Sequence, residues 1–369
     1  MRAAVFHLGV LRRLANEERL EHVAQISTVS GGSLVTAAIF SASGMQWPSS
    51  DQFRRAVYPE LRKLITTTDL FTVSGVGWSG LARYNARLLF ARASVLADLL
   101  KRRWGVTGYL RDLPSRPGWL INATCIETGK NWRFGKREMG DWRFGRHYDP
   151  PFLMAEAAAA SAAVPYAIGA LTLKLPKEGW YRTDPATRKP VERSEPPAKR
   201  VRLWDGGAYE NLGLEALFKP QRPLIGCNFL ICSDASGPLP PARRFPLLGL
   251  VRGHLASPRL FDIASEQIRS LRSRMLVDAL ERGDVEGVLL RMGNSVRDLD
   301  LKTGRTREAE QYDHFQEDRE TLLALRHPTD LKAIPKALFD RIARHGYEIA
   351  DATLTAYASK QFTRALEWA

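Results

Sequence analysis

The feature that most constrains this chain is a short run near its amino end, Ile26-Ser27-Thr28-Val29-Ser30-Gly31-Gly32-Ser33. Val23 to Val29 is rich in strand formers, and Leu34, Val35, Ala38 and Ile39 follow at helical spacing. A strand therefore runs into a helix through two glycines, with Ser30 at the bend. Such a bend supports two readings. A nucleophilic serine needs its hydroxyl exposed on a tight turn between small neighbours, and a helix amino end adds positive potential for a developing oxyanion. Gly31 and Gly32 supply the small neighbours, although Thr28 stands where the G-x-S-x-G pattern has glycine. The other reading is a plain turn with Ser30 as helix N-cap.

A serine hydroxyl is a weak nucleophile and needs a base. Trp204-Asp205-Gly206-Gly207 offers one: a carboxylate at a strand end, where α/β folds hold ligands, or else an ordinary Asp-Gly turn. Among seven histidines, His254 is first in line for an order Ser…Asp…His. The α/β-hydrolase fold places several strands before its nucleophile, and few residues precede Ser30. A dyad in which Asp205 takes the proton directly fits the chain order better.

The remaining pattern alternates helices and short buried strands. Helices are expected over 2–15, 51–65, 79–104, 152–163 and about 212–218, over most of 247–282, and in the last forty or so residues. Strands are expected at 119–126, 132–134, 201–204, 228–233 and 287–292. This predicts an α/β fold with a mainly parallel sheet covered on both faces. Residues 177–202, rich in Pro, Arg, Lys and Glu, read as a surface insertion or mobile loop. Cys125, Cys227 and Cys232 form no C-x-x-C pair, so no disulfide framework is expected. His147 and Asp149 lack further ligands at metal spacing, and no metal or cofactor is expected. The charge of +14 favours anionic partners, but the basic clusters are short and lack interleaved aromatic residues, which makes nucleic acid a poor fit. No signal peptide or membrane-spanning run is legible, so a cytoplasmic location, with peripheral contact to an anionic membrane, is expected.

Four segments together resemble the patatin-like phospholipases, lipid acyl hydrolases with a Ser/Asp dyad. Residues 2–11 look like the helix after that family's glycine-rich loop. Ile26 to Ser33 looks like its nucleophile elbow, and Ala160-Ser161-Ala162-Ala163-Val164-Pro165 like its Ala-Ser-x-Ala-x-Pro segment. Asp205-Gly206-Gly207, continued by Tyr209 to Leu214, looks like its Asp-Gly-Gly/Ala block. The resemblance covers roughly residues 1–215. It implies a three-layer α/β/α core over 1–235 and a helical C-terminal α/β extension over 236–369. Ser30 and Asp205 would be catalytic. Arg2 and Gly31 would lie in the oxyanion or phosphate region, and Gly32, Gly206 and Gly207 would be motif glycines. The family's oxyanion loop reads Gly-Gly-Gly-x-Arg-Gly after a strand, and Met1-Arg2-Ala3 falls on x-Arg-Gly. The three glycines and the first strand are therefore expected upstream of Met1. The expected activity is phospholipase A-type cleavage of membrane phospholipids or other acyl lipids. The alternative is a catalytically impaired relative that binds anionic lipid or nucleic acid.

Overall fold

The computed structural model describes residues 1–71, 92–239 apart from 166, 185 and 188, 257–304, 315–363 apart from 329, and 368. Helix α1 (Arg2–Ala15) opens the chain, and strand β1 (Gln25–Thr28) leads through Ser30 into α2 (Gly31–Ala42). Helical residues 50–67 end in α3 (Tyr58–Thr67), and α4 spans Arg92–Trp104. The first part of the helix expected over 79–104 lies outside the described residues.

Strands β2 (Gly118–Cys125), β3 (Asn131–Phe134), β4 (Glu138–Asp141) and β5 (Gly145–Tyr148) follow one another directly. After α5 (Met154–Ser161) come β6 (Leu171–Lys174), β7 (Trp180–Thr183), β8 (Pro190–Ser194) and β9 (Arg200–Asp205). The last part contains β10 (Leu230–Asp234), α6 (Ser257–Glu281), β11 (Gly287–Arg291), α7 (Val296–Thr303), α8 (Asp318–Arg326) and α9 (Lys336–Tyr357).

The expected α/β class holds, but the expected mainly parallel sheet does not. Nine strands pair in the order β6-β9-β2-β3-β4-β5-β7-β8, with β1 beside β2. Only β1/β2 and the separate β10/β11 pair are parallel among the described strands; the other pairings are antiparallel. The reason is connection length. Parallel neighbours need a crossover, whereas turns such as Phe134 to Glu138 and Asp141 to Gly145 are too short for one. Residues 177–202, expected as a loop, instead carry the hairpin β7–β8 and the start of β9. The helix expected over about 212–218 is replaced by a single 3₁₀ turn, Leu214–Ala216. Gly213, at φ +70°, interrupts the segment, and the buried Glu210 carboxylate accepts the Leu212 and Glu215 amides that a helix would otherwise use.

Helix α9 packs along α1 at unusually close range. A Cβ on Gly9 would lie 1.8 Å from the Ala343 carbonyl oxygen, and one on Gly346 would lie 2.1 Å from that of Phe6. Between the same helices the buried Arg13 Nε donates to Asp351 Oδ1 at 2.7 Å. This pairing holds α1 in place, and α1 in turn carries the bend at Ser30: a Cβ on Gly31 would meet Ala3 Cβ at 3.2 Å.

Candidate active site

Strand register brings Ser30 and Asp205 together. Thr28 at the end of β1 pairs with Ile121 of β2, and Asp205 at the end of β9 pairs with Ala123. β3 already takes the far edge of β2 over Ile121 to Thr124. β1 and β9 must therefore share the near edge, one after the other and pointing at each other. Their carboxyl ends meet beside Asn122. The contact is tight there, since a Cβ on Gly206 would fall 2.6 Å from the Asn122 carbonyl oxygen and 3.0 Å from Val29 Cγ1. Glycine at 206 is thus a condition of the two strand ends meeting. Asn122 also ties the edge internally, its Nδ2 donating to Ser27 Oγ at 2.9 Å and to the Thr28 carbonyl at 3.0 Å.

Ser30 adopts φ 50°, ψ −122°, a conformation that side-chain-bearing residues rarely occupy. Strain of this kind costs of order 1–3 kcal/mol and persists only where surroundings impose it. The N-cap alternative fails on geometry, because the Ser30 side chain makes no cap hydrogen bond to α2. Its backbone N–H instead donates to both Ser161 Oγ (3.0 Å) and the Ser161 carbonyl (3.1 Å).

Ser161 is a residue whose role the sequence reading did not assign. It sits at the end of α5, whose alanines are small enough to bury most of the helix against α4, β2, β9 and α2. Ser161 Oγ bonds Ser33 Oγ at 2.8 Å, Ser33 Oγ bonds Thr28 Oγ1 at 2.8 Å, and Trp119 Nε1 donates to Thr28 Oγ1 at 2.9 Å. Thr28, the departure from the glycine pattern, is thereby accommodated through its hydroxyl. Two residues beyond Ser161, the Ala163 carbonyl accepts the Asp205 N–H at 2.9 Å. The Ala-Ser-x-Ala segment therefore holds the serine bend and the carboxylate strand at once. The signal in the sequence was the resemblance of that segment, but nothing local indicated what it touches.

Asp205 is buried at 5% exposure. Its Oδ1 accepts the Gly207 N–H at 2.7 Å, whereas Oδ2 is buried without a hydrogen-bond partner. Burial pushes its pKa up to about 6, partly offset by the Gly207 N–H and by the nearby Ser30 hydroxyl. That hydroxyl is near enough to favour the carboxylate, yet it closes no hydrogen bond of ordinary geometry. Looseness of this kind is common in a site without substrate. A buried carboxyl with one open oxygen and a raised pKa is suited to taking a proton near neutrality.

The other expected residues fall as follows. Gly31 and Gly32 begin α2, and Gly32 is not sterically required, since a Cβ there meets only ordinary contacts at 3.8 Å. A Cβ on Gly207 would crowd Asn211 Oδ1 at 2.7 Å. Arg2 is buried, and its Nη1 donates to the carbonyls of Leu325 (2.6 Å) and His327 (3.0 Å), tying α1 to the carboxyl end of α8. His7 Nδ1 bonds Ser233 Oγ at 3.0 Å, and burial lowers its pKa to about 4. His254 lies outside the described residues. Among the described residues, no three His, Cys, Asp or Glu side chains cluster as metal ligands, and no helix is long and apolar enough to cross a membrane.

The patatin-like phospholipase family matches residues 1–218, which include the serine bend, the α5 segment and the Asp205 turn. The chain belongs to that family. No curated protein matches the sequence. The structure of human GIVD cytosolic phospholipase A2 in complex with methyl γ-linolenyl fluorophosphonate is similar, with a TM-score of 0.52 at 13% identity. The similarity covers 98% of this patatin-like chain and 56% of that one, so the chain spans little more than half the length of that protein. At this identity the likeness is one of fold.

Ser161 gives this patatin-like site a testable support. Ser161→Ala removes the side-chain acceptor for the Ser30 N–H but leaves the carbonyl. A net hydrogen bond of about 1 kcal/mol in positioning corresponds to a loss of roughly five- to ten-fold in kcat. The expected result is that loss with KM nearly unchanged, measured by steady-state ester hydrolysis.

Proposed function

We propose that this chain is a lipid acyl hydrolase that cleaves ester bonds of phospholipids or other acyl lipids through a Ser30/Asp205 dyad. The observation that carries the reading is the meeting of a strained serine with a buried, half-partnered carboxylate on one edge of β2. Ser30 Oγ attacks the ester carbonyl carbon, and its proton passes to Asp205 Oδ2. The tetrahedral intermediate collapses to an acyl-serine, and the departing alkoxide takes the proton back from Asp205. Water then attacks the acyl-serine and gives a proton to Asp205; the second tetrahedral intermediate breaks its bond to Ser30 Oγ, which takes that proton back as the carboxylic acid leaves. The Gly31 N–H, directly after the nucleophile, is the backbone donor best placed in sequence for the oxyanion. The net charge of +14 would draw the protein to an anionic membrane surface, where such substrates reside.

The direct test is hydrolysis of a short-chain aryl ester and of mixed phospholipid vesicles by the chain and by Ser30→Ala. Turnover lost in the variant supports the reading. Vesicle binding without turnover in either protein would favour the alternative, a lipid-binding relative without catalysis.

The pH dependence follows from Asp205. The base form is required, and its pKa is raised to about 6. On this reading kcat/KM rises with pH through a single ionisation near 6 and levels off above about 7. A pH profile on a neutral aryl ester checks this. A limb centred at the ordinary aspartate value would show that burial does not raise the Asp205 pKa in solution, and a limb that persists in Asp205→Asn would remove Asp205 from the role of base.

A further inference from the structure

A surface helix usually buries its apolar stripe and shows its charges to solvent. Over residues 260–275, helix α6 does the reverse. Two arginines point inward: Arg269 Nη1 donates to Oδ2 of the buried Asp234 at 2.7 Å, and Arg272 Nη2 to Glu215 Oε2 at 2.8 Å. Leu276 and Ala279 continue that side and are buried. Large apolar side chains face out. Leu260 and Leu271 are 67% and 52% exposed, and Ile263 and Met275 are exposed as well. At about 100° per residue these four, with Ala264 and Gln267, fall within about 60° of one line along the helix.

The exposed stripe carries no acid. Between residues 260 and 275 its one charged side chain is the exposed Arg274, because Asp262 and Glu266 fall on the other side of the helix by the same spacing. Asp278, one turn further, is paired with Arg282 at 2.7 Å. From Ala235 to Phe261 the sequence has four arginines and no Asp or Glu. An apolar face bordered by basic groups is complementary to an anionic lipid surface: apolar side chains enter the acyl boundary, and arginines meet the headgroup phosphates.

Helix α6 also borders the candidate site. Its Cα atoms come within 8 Å of those of the Gly206–Ala208 turn that follows Asp205. Its anchor Asp234 ends β10, and Ser236 just beyond accepts Asn211 Nδ2 on its Oγ at 2.8 Å, which ties the segment after Asp205 to the same place.

We propose that the outward face of α6 is a membrane-contact surface that seats the protein on anionic phospholipid. Leu260, Ile263, Leu271 and Met275 enter the interface, and Arg274 meets the phosphates. The choice of lipid as partner rests on the acyl-hydrolase reading, since a bilayer held against this helix lies beside Ser30 and Asp205.

The test is binding to vesicles of equal parts phosphatidylcholine and phosphatidylglycerol. It is measured by co-sedimentation in a Ser30→Ala background, so that no lipid is consumed. Leu260→Gln combined with Leu271→Gln is expected to weaken binding by about thirty-fold or more, because two leucines lose their transfer into the interface. Arg274→Glu should weaken it by about five-fold or more, and added salt should shrink that difference. Leu301→Gln, at a similarly exposed leucine of α7, should leave binding unchanged. With Ser30 restored, the double leucine variant should keep the parent rate on a soluble aryl ester and lose turnover on vesicles. Should the parent hydrolyse neither substrate, the hydrolase reading fails while the binding comparison still decides this one. No binding by the parent, equal binding by the double leucine variant, or an equal loss in Leu301→Gln overturns the proposal. So does a parent dimer in light scattering that the double variant dissolves, which would assign the face to a second copy of the chain.

Discussion

Ser30→Ala is expected to reduce ester turnover by at least about a thousand-fold, and Asp205→Asn by a similar factor. On the proposed dyad, the double variant should be hardly worse than either single one, because a nucleophile and its base act as a unit. Stability separates these changes from simple unfolding. Ser30→Gly removes the nucleophile and also relieves the strain at φ 50°, so it is expected to be inactive yet more stable by about 1 kcal/mol. Asp205→Asn is likewise expected to be inactive and, at pH 8, more stable than the parent. The sign follows from the raised pKa. The folded carboxyl binds its proton more tightly than the unfolded one, so its favourable contribution is full below about pH 4 and is lost as pH rises through about 6. Above that, the parent carries a buried charge whose removal gains of order 1–3 kcal/mol. At pH 3.5 the gain should vanish. Melting curves at the two pH values check it, and equal shifts at both would remove the titration argument.

Gly346→Ala is expected to cause a large loss of stability, about 3 kcal/mol or more. Its new methyl would lie 2.1 Å from a backbone oxygen of α1, so one helix must move away from the other. Because α1 also packs on Gly31, the displacement should reach the Ser30 bend and lower turnover in whatever fraction remains folded. Gly32→Ala is the contrasting case: its Cβ finds ordinary contacts inside α2, and the change should lie within about 0.5 kcal/mol of neutral, because alanine favours a helix. Urea denaturation of the two variants beside the parent distinguishes them. Comparable losses at both positions would show that helix spacing is not the controlling term.

The α/β class, the strand-to-helix bend at Ser30, the β2–β3 hairpin and most helices were legible, because periodicity and glycine placement are local properties. The direction of the sheet was not. Alternation of helices and strands holds only towards the two ends of the chain, and it was wrongly extended through residues 118–205, where turn lengths decide instead. The helix expected after Asp205 failed for a comparable reason. Gly213 and a buried Glu210 carboxylate compete with the helical bonding that the apolar spacing of Leu212, Leu214 and Leu217 suggested.

The candidate site divides along the same line. Ser30 with its glycines, and Asp205 with Gly206 and Gly207, could be picked out from residue type and local pattern, since each sits on its own turn. That they are neighbours is a matter of tertiary structure: two strands far apart in sequence take successive stretches of one edge of β2 and meet end to end. The same is true of Ser161 holding the Ser30 amide and of the unpartnered Asp205 oxygen. Local sequence sets which backbone conformations are cheap, whereas burial, strand register and hydrogen-bond partners depend on what distant segments bring to the same place.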